Sequence, residues 1–209
     1  MNVEKIIKNR LKEFERLGNS KQTLFDFYPF LNLKIRATIK SELAFCISTA
    51  NSSAISGLYF QKQLEKFDFN RIEVEKIETL LKQAGVRFYS KKAIYISKAL
   101  LNFEIVERAL NIEDKKAREI LVSSIKGLGY KEASHFLRNV GRKNIAIIDR
   151  HVLRWMRERG LIDNIPKNLN KKNYLQLERI LSKLSDEVGM NLAKLDLYMW
   201  YEKTKKVLK

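Results

Sequence analysis

The chain of 209 residues has one cysteine, Cys46, two prolines, Pro29 and Pro166, and two histidines, His135 and His151. A single thiol excludes an intrachain disulfide, a four-cysteine iron–sulfur cluster and a thiolate zinc site within one chain. The histidines are separated by a helix and a loop and have no ligand-like neighbours, so no metal site is expected, and no organic cofactor is called for either. No apolar run comes near the roughly 20 residues that a membrane-crossing helix needs. The N-terminal stretch "MNVEKIIKNRLKEFERLG" is a charged amphipathic helix without the uninterrupted apolar segment of an export signal. No membrane contact is expected, and the cytoplasm is the expected compartment.

Acidic residues are scarce as well. Lys and Arg number 41 against 24 Asp and Glu, for a net charge of +17, and the isoelectric point is near 9.9. Such a surplus marks either a polyanion binder or a generally lysine-rich protein, and its distribution separates the two. Between Lys115 and Arg159 stand twelve basic residues and four acidic ones, a surplus of eight within 45 residues. That concentration points to nucleic acid. At 45% hydrophobic and 10% aromatic, the chain has the material for a real core. Its length fits a single domain over residues 1–209.

Helical periodicity dominates. Val3, Ile6, Ile7, Leu11, Phe14 and Leu17 fall on one face, with Gly18 as the expected stop. "NRIEVEKIETLLKQAG" offers Asn70 as N-cap, Glu73 in the capping-box position and Gly85 as C-terminal stop. "EDKKAREILVSSI" begins at a plausible Asp114 cap, and "KEASHFLRNVG" and "DRHVLRWMRERG" each close on glycine. Residues 171–185 and 190–206 read as two more helices. No alternating strand pattern stands out, and the stretch from Phe25 to Leu33 reads as a loop that plugs the core. The expected fold class is all-α.

The stretch "IKGLGYKEAS", residues 125–134, sets two glycines around one leucine ahead of a helical run. Gly127 and Gly129 allow positive φ and close backbone approach. The turn presents free N–H groups at the start of the second helix, where the helix dipole favours an anion. Such a turn serves either as a helix corner or as a phosphate cradle, and the basic surroundings favour the cradle. Downstream, in "AIIDRHVLRWM", Asp149 is placed to cap a strongly periodic helix, which fixes its carboxylate in direction. Lys131 has the opposite electrostatics: a helix N-terminus disfavours an ammonium and so helps supply the free amine that a nucleophile needs. A lysine and a carboxylate 18 residues apart, joined by one helix and a loop, can converge on one nucleotide.

"GLGYKEAS" followed by "IIDRHVLR" resembles the helix-hairpin-helix DNA glycosylases, whose bifunctional members carry lysine in the hairpin and aspartate one helix later. The resemblance implies helical lobes flanking a DNA-binding cleft. The helix-hairpin-helix motif would span about 114–141, and the catalytic loop and helix 142–160. It also implies Lys131 as nucleophile and Asp149 as the essential carboxylate. Gly127, Gly129, Lys126, Arg150 and His151 become implied contacts to the DNA backbone. The loop ahead of the aspartate is usually rich in glycine and proline in this superfamily, whereas "GRKNIAIID" has one glycine and no proline.

Further stretches narrow the resemblance. "LAFCISTANSSA" is similar to the segment that enters the gap left by a flipped base, with Asn51 as the implied residue; read alone, it is equally a helix with small buried residues. "AGVRFYSKKAIYI" and "LDLYMWYEKTKKVLK" resemble the compact archaeal-type 8-oxoguanine DNA glycosylases. That subfamily implies Lys209 in distinguishing 8-oxoguanine from guanine, Trp200 as a stacking face and Phe88 as its opposite. Without the resemblance, Lys209 reads as a frayed tail and Trp200 as core. The implied activity is excision of 8-oxoguanine from double-stranded DNA by a monomer, through a Schiff base on Lys131 and β-elimination 3′ to the lesion. A glycosylase for another oxidised base and a non-catalytic helix-hairpin-helix DNA-binding module remain open alternatives.

Overall fold

The computed structural model describes residues 2–69 and 71–209, so Asn70, the expected cap, lies outside the described residues. In chain order the elements are α1 (Val3–Ser20), β1 (Gln22–Asp26), β2 (Lys34–Thr38), α2 (Ile39–Thr49), α3 (Ala54–Leu64), α4 (Val74–Gln83) and α5 (Tyr89–Leu101). They continue with α6 (Phe103–Ala109), α7 (Asp114–Ser124), α8 (Tyr130–Asn139), α9 (Arg150–Glu158), α10 (Lys171–Glu187) and α11 (Leu192–Thr204). None of the described helices is long and apolar enough to cross a membrane.

The fold is helical, as expected, and carries one small two-stranded sheet that the sequence did not announce. The strands β1 and β2 pair antiparallel, Phe25 opposite Ile35, so the core-plugging loop is the end of β1 and the connection of a β-hairpin. In β1, Thr23 and Phe25 point inward while Leu24 faces solvent, so the alternation lies in burial and is blurred in hydropathy. "KIRAT" alternates cleanly but for only five residues. Phe25 and Phe27 do enter the core, both fully buried.

Helix ends also shift. α1 runs through Gly18 to Ser20 and ends at Lys21, which adopts φ +61°. Gly18 serves packing instead: a Cβ there would stand 2.1 Å from the Val140 carbonyl oxygen at the end of α8. The cap of α7 is Glu113, one residue before Asp114, and it accepts from the N–H groups of Lys115 and Lys116. Glu73 stands at the N-cap of α4 without a side-chain cap bond, three residues from its expected place inside that helix.

Two clusters of buried side chains make the core. The larger draws on α1 to α8 and the hairpin strands and is centred on α2, where every residue but Lys40 is buried. A helix apolar on nearly all sides belongs inside, but α2 also carries Glu42 at zero exposure. The smaller cluster joins Ala146 and Ile148 to α9, α10 and α11. Residues 125–149 run from the larger lobe to the smaller one, and the candidate site lies along that passage.

Candidate active site

The turn between α7 and α8 occupies residues 125–129. Leu128 is buried, and its N–H reaches the Ile125 carbonyl at 3.2 Å. Gly127 adopts φ +100°, and a Cβ on it would come within 2.9 Å of the Tyr95 ring. Both demands require glycine. Gly129 departs from expectation: its φ is −87°, and it serves as the N-cap of α8. With no side chain at that cap, the first N–H groups of α8 stay open toward solvent, as an anion site requires. Lys126 is exposed beside the turn, with its ammonium 5.8 Å from the Tyr95 ring.

Lys131 is the second residue of α8, half-buried, and its Nζ lies 3.5 Å from a Glu132 carboxylate oxygen. Asp149 caps α9, with Oδ1 accepting the N–H groups of His151 at 2.8 Å and Val152 at 2.9 Å. Lys131 and Asp149 line one pocket of about 380 Å³, together with His151, Trp200 and Lys209. Cavities of this order hold small molecules or a single base.

The other expected residues are distributed unevenly. Trp200 presents its edge to His151, with ring centroids 5.4 Å apart at 76°. Lys209 is fully buried at its side chain, and its ammonium is held by Glu42 and Gln61 between the rings of Phe25 and Phe45. Burial pulls this ammonium down to about 8, opposed by Glu42. The frayed-tail alternative therefore falls. Phe88 is 59% exposed and lies outside the pocket lining, while Arg150 is exposed at the start of α9.

Asn51 and Phe88 form two neighbouring loop tips, and both take positive φ, +52° and +58°. Ser52 ties the tips together: its Oγ accepts from the Arg87 N–H at 2.8 Å and the Lys92 ammonium at 3.1 Å. The Lys92 ammonium also donates to the Ser48 carbonyl at 2.7 Å. Burial, then the nearby charge of Lys131, pulls Lys92 down to about 8.

Three pocket residues escaped the sequence reading as functional groups. Asp196, on α11 one turn before Trp200, is buried and lies 3.4 Å from an Arg138 nitrogen. Burial raises its carboxyl to about 6, opposed by Arg138 and assisted by the charge of Asp149. His135, one turn after Lys131, is 93% buried; its ring has no side-chain hydrogen-bond partner and interacts with the Lys209 backbone. Burial first, then the positive charges of Arg138, Lys131 and Lys209, hold it well below the usual histidine range, so it is neutral. Arg138 Nε and Nη1 and Trp200 Nε1 are without hydrogen-bond partners. The i, i+4 spacings to Trp200 and Lys131 are the signal that could have revealed Asp196 and His135. Buried polar groups are ordinarily paired, so a pocket with open donors beside a carboxylate suits a polar, planar guest. Among the described residues, no group of His, Cys, Asp and Glu could hold a metal ion.

Two helices joined by a glycine turn, followed by a carboxylate-capped helix over a shared pocket, define a protein of the helix-hairpin-helix class. The family model described as 8-oxoguanine DNA glycosylase matches residues 7–190, and the chain belongs to that family. It is similar to the 8-oxoguanine DNA glycosylase/AP lyase of Aquifex aeolicus, at 44% identity over 99% of this chain and 94% of that protein. The enzyme of the same name from Methanocaldococcus jannaschii is 45% identical over 95% of this chain and 99% of its own. The crystal structure of the M. jannaschii 8-oxoguanine glycosylase/lyase with a 15mer DNA containing 8-oxoguanine superposes with a TM-score of 0.86. That match, at 41% identity, covers 100% of this chain and 94% of that one.

Proposed function

We propose that the protein is an 8-oxoguanine DNA glycosylase and AP lyase, with Lys131 as nucleophile and Asp149 as the carboxylate that assists it. One observation carries the reading: Lys131 and Asp149, 18 residues apart, line a single base-sized pocket. A stacked nucleotide hides C1′, so the base must leave the duplex and enter that pocket. The open N–H groups at the start of α8, with Lys126, Arg150 and His151, grip phosphates beside the lesion. Asn51, at its strained loop tip, occupies the vacated stack, and Phe88 beside it meets the DNA.

Inside the pocket Trp200 offers a stacking face, worth roughly 1–3 kcal/mol per base. Ionised Asp196 is an acceptor with two oxygens, complementary to the N1–H and N2–H donors along the Watson–Crick edge of a guanine-type base. The Lys131 amine then attacks C1′; the new C–N bond forms as the glycosidic bond breaks and the base departs. Asp149 stabilises the positive charge that develops on the sugar. Ring opening gives the Schiff base, whose imine acidifies the C2′ protons, and β-elimination expels the 3′ phosphate. Neither a metal nor an organic cofactor is needed for these steps. Residues 1–209 act as a single domain and a monomer in this proposal. The cytoplasm, where chromosomal DNA lies, is its place of action.

Borohydride trapping tests the reading. With a duplex containing 8-oxoguanine, the wild-type chain is expected to form a covalent adduct and Lys131→Gln none. An adduct that survives Lys131→Gln would reject the lysine mechanism, and cleavage confined to thymine-glycol DNA would reject the 8-oxoguanine assignment.

A further inference from the structure

The loop that leads to Asp149, "GRKNIAIID", has one glycine and no proline to stiffen it. Its rigidity comes from α10. Glu178 Oε1 accepts the N–H of Ala146 at 3.0 Å. The Tyr174 hydroxyl donates to the Ala146 carbonyl at 2.8 Å and accepts the Ile148 N–H at 3.1 Å. Three backbone groups within residues 146–148 are thus held by two side chains one turn apart on the same helix face.

Those two side chains are themselves fixed. Arg118 of α7 grips Glu178 through paired contacts of 2.6 and 2.7 Å, the fork geometry that guanidinium and carboxylate prefer. Tyr174 Oη lies 3.2 Å from Ser134 Oγ, which also accepts from Arg118 at 3.2 Å. Ser134 follows Lys131 by three residues on α8. Burial pushes the Tyr174 phenol upward, so it keeps the proton it donates. One buried network therefore joins the helix of Lys131, the helix ahead of the hairpin and the loop of Asp149. An apolar filler could replace the buried Arg118–Glu178 pair at little cost in stability, but it would leave the Ala146 N–H unpaired.

We infer that Tyr174 and Glu178 are positioning residues for base excision: by clamping residues 146–148 they set the Asp149 carboxylate against the sugar that Lys131 attacks. The inference rests on the activity proposed above. Neither residue lines the pocket, so both act through Asp149.

Tyr174→Phe is the direct test, because it keeps the ring and its packing against Tyr130, 5.4 Å away, and removes only the hydroxyl. Single-turnover excision is expected to slow by about 10- to 100-fold, the scale of an ångström-sized misplacement, with the Kd for duplex held within about twofold. In an Asp149→Asn background the same substitution should change nothing further, since the two act as one unit. Amide exchange at Ala146 and Ile148 should quicken, while that at residues 126–129 stays as in wild type. Full activity in Tyr174→Phe, equal slowing in both backgrounds, or unchanged exchange at Ala146 and Ile148 would each overturn the clamp. Should the wild-type chain excise no base, the activity reading falls by itself, and exchange still decides whether Tyr174 holds the loop.

Discussion

Residues 126–129 and residues 141–149 both lead into helices that present a reactive group to the same pocket, but they are built differently. The hairpin before Lys131 is short and local. Gly127 turns the chain, and Leu128 is bonded back to Ile125 three residues away. The loop before Asp149 is held from a distance by Tyr174 and Glu178, 26 to 32 positions further along the chain. A backbone-built turn keeps its shape as soon as its own residues are in place. A clamped loop has its shape only once the smaller lobe has folded onto it. The helix start that carries Lys131 and the loop that carries Asp149 thus depend on different parts of the molecule.

Asp149→Asn breaks the chemistry of the loop while sparing its architecture, since asparagine caps a helix as well as aspartate does. Single-turnover excision should fall on the order of a thousandfold, the scale of losing one preorganised charge contact, with an unchanged circular-dichroism spectrum. Glu178→Ala breaks the architecture instead. It leaves Arg118 buried without its partner and the Ala146 N–H unpaired, a loss of about 3–5 kcal/mol and a drop in Tm of roughly 10 °C. Calorimetry should show that drop, and a change below about 1 kcal/mol would mean that the clamp carries no stability.

Acid titration sharpens the contrast, because a carboxylate with a raised pKa, Asp196, stands on the Asp149 side of the pocket. Its folded-state value of about 6 lies above the ordinary 3.8, so the folded protein holds the extra proton between those values. Stability should therefore decline as pH rises from about 4 to 6, by up to about 3 kcal/mol from this group. Asp196→Asn should flatten that segment of a urea-midpoint profile; an unaltered slope would assign it to another residue. The smallest effect belongs to the hairpin: Gly127→Ala forces a side chain into positive φ against Tyr95, a strain of about 1–3 kcal/mol. It should weaken DNA binding while leaving amide exchange at residues 146–148 unchanged.

This contrast also separates what the sequence reveals from what it hides. Gly127, Lys131 and Asp149 are legible because turn chemistry and capping act over a few residues, and the amphipathic helices are legible by their period. The β-hairpin is hidden by its five-residue strands and by Leu24 facing solvent. Glu178 and Arg118 look like ordinary surface charges until the fold sets them 2.6 Å apart in the interior. Asp196 and His135 read as unremarkable members of helical runs until the fold buries them beside Lys131 and Trp200. The basic surplus pointed to nucleic acid, but Arg118 and Lys209 spend their charge inside the protein.

Burial of Lys209 ties pocket and core together thermodynamically. Residues 207–209 are buried, and Leu208 and Lys209 line the pocket. Any segment held mainly at one point has a docked and an undocked population. A base that packs against the docked segment binds that population alone, so binding and docking reinforce each other by the same free energy. Apparent affinity then scales with the docked fraction. That fraction depends on Glu42, a carboxylate in the first turn of α2 that does not line the pocket. For a flipped base that packs against Leu208 and Lys209, the grip of the pocket would be set in part by a residue the base never touches.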